Sequence, residues 1–126
     1  MPSRFREELG DTFVLTRGFD HCLWCFSPEA WREMEARFRG LSFMQSNVRA
    51  FLRWFFSGAT ECELDRQGRF VVPASLREYA RIQKEVVIIG AFRQVEIWAR
   101  ERWEEYDRKT EGHVEQVAEE IGALEF

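Results

Sequence analysis

A chain of 126 residues fits one ordinary domain, and its 45% hydrophobic and 15% aromatic content excludes disorder from lack of apolar surface. No apolar stretch approaches the ~18 to 20 residues of a membrane span, the N-terminus lacks the regions of a signal peptide, and three cysteines suit free thiols, so a cytoplasmic protein is expected. The formal net charge of −4 speaks against nucleic acid as a partner, yet residues 101–126 hold nine acids and three bases, which leaves residues 1–100 net positive.

In chain order, Phe13-Val14-Leu15-Thr16 is a short β-prone run between Asp11 and Gly18, and Leu23-Trp24-Cys25-Phe26 is another, stopped by Ser27-Pro28. Ser27 caps and Pro28 begins a helix whose apolar stripe is Trp31, Met34, Phe38 and Leu41, with Gly40 near its end. Ser46 or Asn47 can cap a second helix that turns Val48, Phe51, Leu52 and Phe55 inward and ends at Gly58.

The period of two in Glu61-Cys62-Glu63-Leu64 predicts a half-buried strand, followed by a tight turn over Asp65 to Gly68 and a return strand, Phe70-Val71-Val72, closed by Pro73. A short helix, Ala74 to Ala80, precedes a strand from Glu85 to Ile89 that Gly90 ends, and Val95 to Trp98 is its partner across a Gly90 to Gln94 turn. From Arg100 the chain reads helical to near its end, with Trp103, Tyr106, Thr110, Val114, Val117, Ile121 and Leu124 in one stripe that Gly112 and Gly122 weaken.

The chain also says one thing twice. Pro2-Ser3-Arg4-Phe5-Arg6-Glu7 is echoed by Pro73-Ala74-Ser75-Leu76-Arg77-Glu78, and Trp31 by Trp103, at an offset of about 72 residues that marks a tandem repeat. The expected organisation is a first repeat over 1–45 with its helix, a helical linker over 46–58, a second repeat over 59–104 and an acidic C-terminal helix over 105–126. Counterparts of Glu61 to Val72 are missing from the first unit, because Met1 aligns with Val72. Met1 is therefore expected to be an internal start of a longer native protein.

The sharpest local signal is Leu64-Asp65-Arg66-Gln67-Gly68-Arg69. Gly68 permits a positive φ, Asp65 can accept from the turn's amides, and Arg66 and Arg69 are displayed from a two-stranded ribbon of the kind that fits a DNA major groove. From the turn alone, a plain hairpin with solvated arginines is the favoured reading. Sixteen of the 18 basic residues are arginine, which suits phosphate and guanine recognition and also a general coding bias.

Cys22-Leu23-Trp24-Cys25 is a CxxC on a strand, where residues three apart face opposite sides, and no other ligands come with it; neither metal nor redox function is expected. His21 reads as a turn residue and His113 as a solvated one, without a triad, a glycine elbow or a phosphate loop. No enzyme, no cofactor and no small-molecule substrate are expected.

With the repeat, the Asp65-to-Arg69 turn, the Pro73-to-Glu78 helix start and Phe55-Phe56-Ser57-Gly58-Ala59 in view, the chain resembles the MraZ family of bacterial transcriptional regulators. Its units are similar to the AbrB-type swapped-hairpin domain. The resemblance implies an α+β fold, two units interleaved into a double-split β-barrel with peripheral helices, and closed rings of subunits on nucleoid DNA. It further implies binding to promoter direct repeats of the division and cell-wall gene cluster, generally as a repressor. The family's Asp-x-x-x-Arg signature falls on Asp65 and Arg69, and the arginine that begins the following helix is matched by Arg77 and, in the first unit, by Arg6. The expected DNA-binding set is Arg66, Gln67, Arg69, Arg77, Arg6 and Arg4, with Asp65 and Gly68 shaping the turn. The first unit lacks that signature, so an assembly module that binds no DNA is the alternative.

Overall fold

The structure is a computed structural model that describes residues 1–122. Five antiparallel strands form one open sheet in the order β3-β1-β2-β5-β4, and six helices pack around it, an α+β architecture. The strands are β1 (Thr12–Arg17), β2 (Leu23–Phe26), β3 (Thr60–Glu63), β4 (Val86–Ala91) and β5 (Gln94–Ala99). The helices are α1 (Ser3–Leu9), α2 (Pro28–Phe38), α3 (Ser46–Ser57), α4 (Ala74–Tyr79), α5 (Arg100–Glu111) and α6 (Val114–Ile121).

Strand alternation sorts the side chains into two layers. Phe13 and Leu15 of β1, Leu23 and Cys25 of β2, Cys62 of β3, and Val95 and Ile97 of β5 share one buried core with Phe5 and Leu9 of α1 and Leu76 and Ala80 of α4. These two short helices are the repeated segments, so the repeat supplies both halves of one lid. Register places the core residues opposite one another, with Phe13 against Cys62, Leu15 against Cys25 and Leu23 against Ile97. Burying each large apolar side chain contributes about 1.5–3 kcal/mol, which offsets the entropy of ordering these short elements.

The opposite face is aromatic. Phe55 of α3 is 1% exposed and lies within 5.4–6.4 Å, centroid to centroid, of Phe26, Trp31, Phe38, Phe51, Phe56 and Trp24. Thr16, the one buried polar side chain among the described residues, donates 2.8 Å to the Phe55 carbonyl and ties α3 to β1. On β5, Trp98 meets Trp103 and Tyr106 of α5.

Several expectations need correction. Phe70-Val71-Val72 is not a strand: the segment finds no ladder partner among the described residues, and Val71 is 85% exposed. Gly90 does not end β4 but lies inside it, paired with Val95, where the Phe5 ring would sit 3.1 Å from an added Cβ. Phe92 takes the positive φ of 69° at the hairpin turn instead. Helix α2 ends at Phe38, so Leu41 leaves its stripe for an exposed loop. Neither Ser46 nor Asn47 caps α3: the N-cap position is Gln45, without a side-chain bond, and Asn47 Oδ1 accepts from the neighbouring Val48 amide.

The C-terminal helix is broken at Gly112-His113 into α5 and α6, because a residue of low helix propensity falls where the stripe has no core to follow. Leu124 lies outside the described residues. Ser27 caps α2 as expected, its hydroxyl accepting from Ala30 at 3.1 Å.

Candidate nucleic-acid interface

The Asp65-to-Arg69 turn stands at the end of the edge strand β3. Its ends are closed by Asp65 N–H donating to the Arg69 carbonyl at 2.8 Å, and its middle by Gly68 N–H donating to the Asp65 carbonyl at 3.0 Å. Asp65 Oδ1 then accepts from the amides of Gln67 at 2.9 Å and Arg69 at 2.8 Å. One carboxylate therefore organises the loop. The Arg69 amide holds the Asp65 carboxyl below its usual range, aided by the Gln67 amide and by the charges of Arg69 and Arg6.

Gly68 has φ +76°, a left-handed conformation that a side chain resists. A Cβ there would also lie 3.0 Å from Arg6 Nη1, because the Arg6 guanidinium covers the glycine. From the same side the Met1 amino group donates 2.8 Å to the Gly68 carbonyl. Beneath the turn, Phe70 packs edge-on against Phe13 at 5.0 Å, anchoring the loop in the core.

Helix α1 and the turn are thus one surface, joined across two repeats. Arg66, Gln67 and Arg69 are exposed on it, Arg6 is half-buried against Gly68, and Arg4 is exposed with its guanidinium 4.5 Å over the Phe5 ring. Among the described residues the ion pairs are Arg100–Glu85 and Lys109–Glu105, so none of these four arginines is neutralised by one.

Arg77 has a different setting. Its Nε donates to the Ile82 carbonyl at 3.1 Å and its Nη2 to the Gln83 carbonyl at 2.6 Å, clamping the bend after α4, where Arg81 has φ 57°. Its counterpart Arg6 makes no such clamp and is spent on the turn. Spacing relates the two arginines, but the fold gives them different partners. The contributions of Phe70 and the Met1 amino group have no local motif and were beyond sequence reasoning; the one available signal was the alternation that continues inward from Leu64.

The three cysteines are free thiols, and all are buried. Cys22 and Cys25 lie on opposite faces of the sheet, Cys25 within the α1/α4 core and Cys22 against the Phe19 carbonyl, and burial pushes both thiols far up. No group of three or more metal-binding side chains occurs among the described residues. His21 stacks on Tyr79 at 4.7 Å, with Nδ1 3.1 Å from the Tyr79 carbonyl.

The model of the MraZ protein family, described as antitoxin-like, matches residues 1–54 and 55–122. The chain belongs to the MraZ family. The transcriptional regulator MraZ of Moorella thermoacetica is 56% identical over 121 residues, covering 96% of this chain and 85% of the relative. That of Heliobacterium modesticaldum is 52% identical and that of Desulforamulus reducens 49%, with the same coverage. The two MraZ family matches meet within α3, the helix that joins the repeats. No helix among the described residues is long and apolar enough to cross a membrane.

Proposed function

We propose that this chain is a sequence-specific DNA-binding transcriptional regulator, acting as a repressor at direct repeats in the promoter of its own division and cell-wall gene cluster. The observation that carries the reading is the Asp65-organised turn, which holds Arg66 and Arg69 outward while Arg6 braces its glycine. The backbone that presents the two arginines is already fixed by the Asp65 carboxylate and needs no reordering on binding, and a guanidinium can bond guanine or phosphate in bidentate fashion.

In this reading Arg66, Gln67 and Arg69 enter the major groove and meet base edges or phosphates, while Arg4 and Arg6 hold phosphates. Arg77 contributes through the free part of its guanidinium and by fixing α4. The net acidic charge is tolerated because homo-oligomers, proposed to be rings with interleaved swapped-hairpin barrels, repeat a modest footprint along repeated sites, and linked contacts multiply through effective concentration.

Membership in a family whose named relatives are transcriptional regulators supports the reading. Titration of promoter binding against salt tests it. A regulator of this type loses affinity steeply as salt rises, with a slope set by the phosphates it neutralises. Binding that is absent or insensitive to salt favours the assembly module instead.

A further inference from the structure

The β4–β5 hairpin ends in a feature that neither the core nor the Asp65 turn accounts for. Arg93 N–H donates to the Ala91 carbonyl at 2.9 Å, which closes a three-residue turn around Phe92 at φ 69°. A side chain resists that conformation, which glycine takes freely. Phe92 is nonetheless a large ring, and it is fully exposed. Backbone strain and exposed apolar surface both cost free energy in the free chain, and such outliers cluster where a ligand or partner is met.

The sheet register places this tip. All four neighbouring strand pairs are antiparallel, so β3 and β4, at the two edges, run the same way. Val14 pairs with Glu61 on one side and Phe26 on the other, and Cys25 pairs with Val95, which sets Gln94 and its partner Ala91 level with Phe26. The Asp65 turn that follows β3 and the Phe92 tip that follows β4 therefore stand at the same end of the sheet. Four interstrand spacings, about 19 Å, separate them. Helix α1 spans the interval, with Arg6 over Gly68, the Phe5 ring over Gly90 and Arg4 above that ring.

Half a turn of B-DNA is about 17 Å. A duplex lying along this end with its major groove on the Asp65 turn brings its minor groove to Phe92. Apolar side chains in the minor groove wedge between base steps and unstack them. Charge alone does not hold a duplex here: Glu7, Glu8, Asp11 and Glu63 are exposed beside Arg4, Arg66 and Arg69, and Glu33 lines a small cavity with Arg37 and Arg93. Arg93 is nonetheless exposed and takes part in neither ion pair among the described residues. The tip adds an apolar contact where the electrostatic one is mixed.

We propose that the Phe92–Arg93 tip is a second DNA contact, in which the Phe92 ring enters the minor groove half a turn from the Asp65 turn and wedges at a base step while Arg93 meets a flanking phosphate. The inference rests on the reading of the Asp65 turn as a major-groove element.

The experiment uses the full chain and promoter duplexes carrying 2-aminopurine at successive positions through the bound site. Phe92→Gly relieves the backbone and removes the ring, so it should raise the melting temperature and weaken promoter binding roughly tenfold with the salt slope unchanged. Arg93→Ala should make that slope shallower by about 0.9. The parent should brighten 2-aminopurine at the wedged step, and Phe92→Gly should not. Unchanged affinity in Phe92→Gly, or no brightening by the parent at any step, overturns the proposal and leaves the DNA reading standing. A parent without salt-dependent promoter binding removes both. Light scattering without DNA supplies the last control: a lower solution mass for Phe92→Gly than for the parent assigns the tip to a contact between copies and overturns the proposal.

Discussion

The indole nitrogen of Trp24 donates a 2.9 Å hydrogen bond to Glu96 Oε2, and the two residues, 72 positions apart, are direct partners across the β2–β5 seam. The repeat offset is the same, so Glu96 is both the cross-strand partner of Trp24 and its counterpart in the other unit. A pseudo-two-fold axis therefore passes through this pair. The chain breaks the symmetry there, with a donor on one side and an acceptor on the other. Glu96 Oε1 also accepts from Trp98 Nε1 at 3.1 Å, so one carboxylate serves two indoles. Replacing Glu96 by Ala leaves both N–H groups without that acceptor and should destabilise the fold by about 1–3 kcal/mol in urea unfolding, whereas Gln should cost less because its amide oxygen still accepts.

Phe55 is the hub of the aromatic face. Phe55→Ala removes a ring that touches α2, α3 and β2 together, and a loss of about 3–5 kcal/mol is expected, read from the denaturation midpoint at constant slope. A loss under about 1 kcal/mol would mean that the α2–α3 layer is not packed on the sheet as described.

Gly68→Ala combines the cost of a side chain at φ +76° with displacement of Arg6, whose Nη1 would lie 3.0 Å from the new Cβ. Stability should fall by about 1 kcal/mol, and promoter affinity should fall as well, because the turn and α1 part company. Unchanged affinity would show that Arg6 and the turn do not act as one surface.

Asp65 makes the turn sensitive to acid. Its carboxyl is held down by the Arg69 amide, so its contribution is present above the unfolded carboxylate range and disappears as pH falls through the lowered value. The chemical shifts of the Gln67 and Arg69 amides should follow that titration, and Asp65→Asn, which retains an acceptor without charge, should abolish it.

Arg77→Ala should lower the melting temperature by opening the clamp on the Ile82 and Gln83 carbonyls. Arg66→Ala should leave melting unchanged and weaken promoter binding. Equal melting temperatures for the two variants would contradict the division of roles.

Much of the fold was legible because local signals and tertiary demands agree. Alternation through Phe13 and Leu15, and through Cys62 and Leu64, marks the core face directly, and Ser27-Pro28 caps α2 as its chemistry dictates. Where a feature depends on a distant partner, local patterning misleads. Phe70-Val71-Val72 has strand composition, but a strand exists only through pairing. Gly90 looks like a terminator and is instead the gap that admits Phe5, while Phe92 takes the turn. In the candidate site, Asp65 and Gly68 could be read from turn chemistry alone. The Arg6 brace could not, because it spans the two repeats.

The central claim is tested most directly by measuring promoter-duplex affinity across a salt series for the parent and for Arg66→Ala/Arg69→Ala. The account predicts a steep fall for the parent on a log–log scale, with weaker binding and a shallower slope for the double variant, each lost phosphate contact reducing the slope by about 0.9. Identical affinity and slope for the two proteins would contradict it.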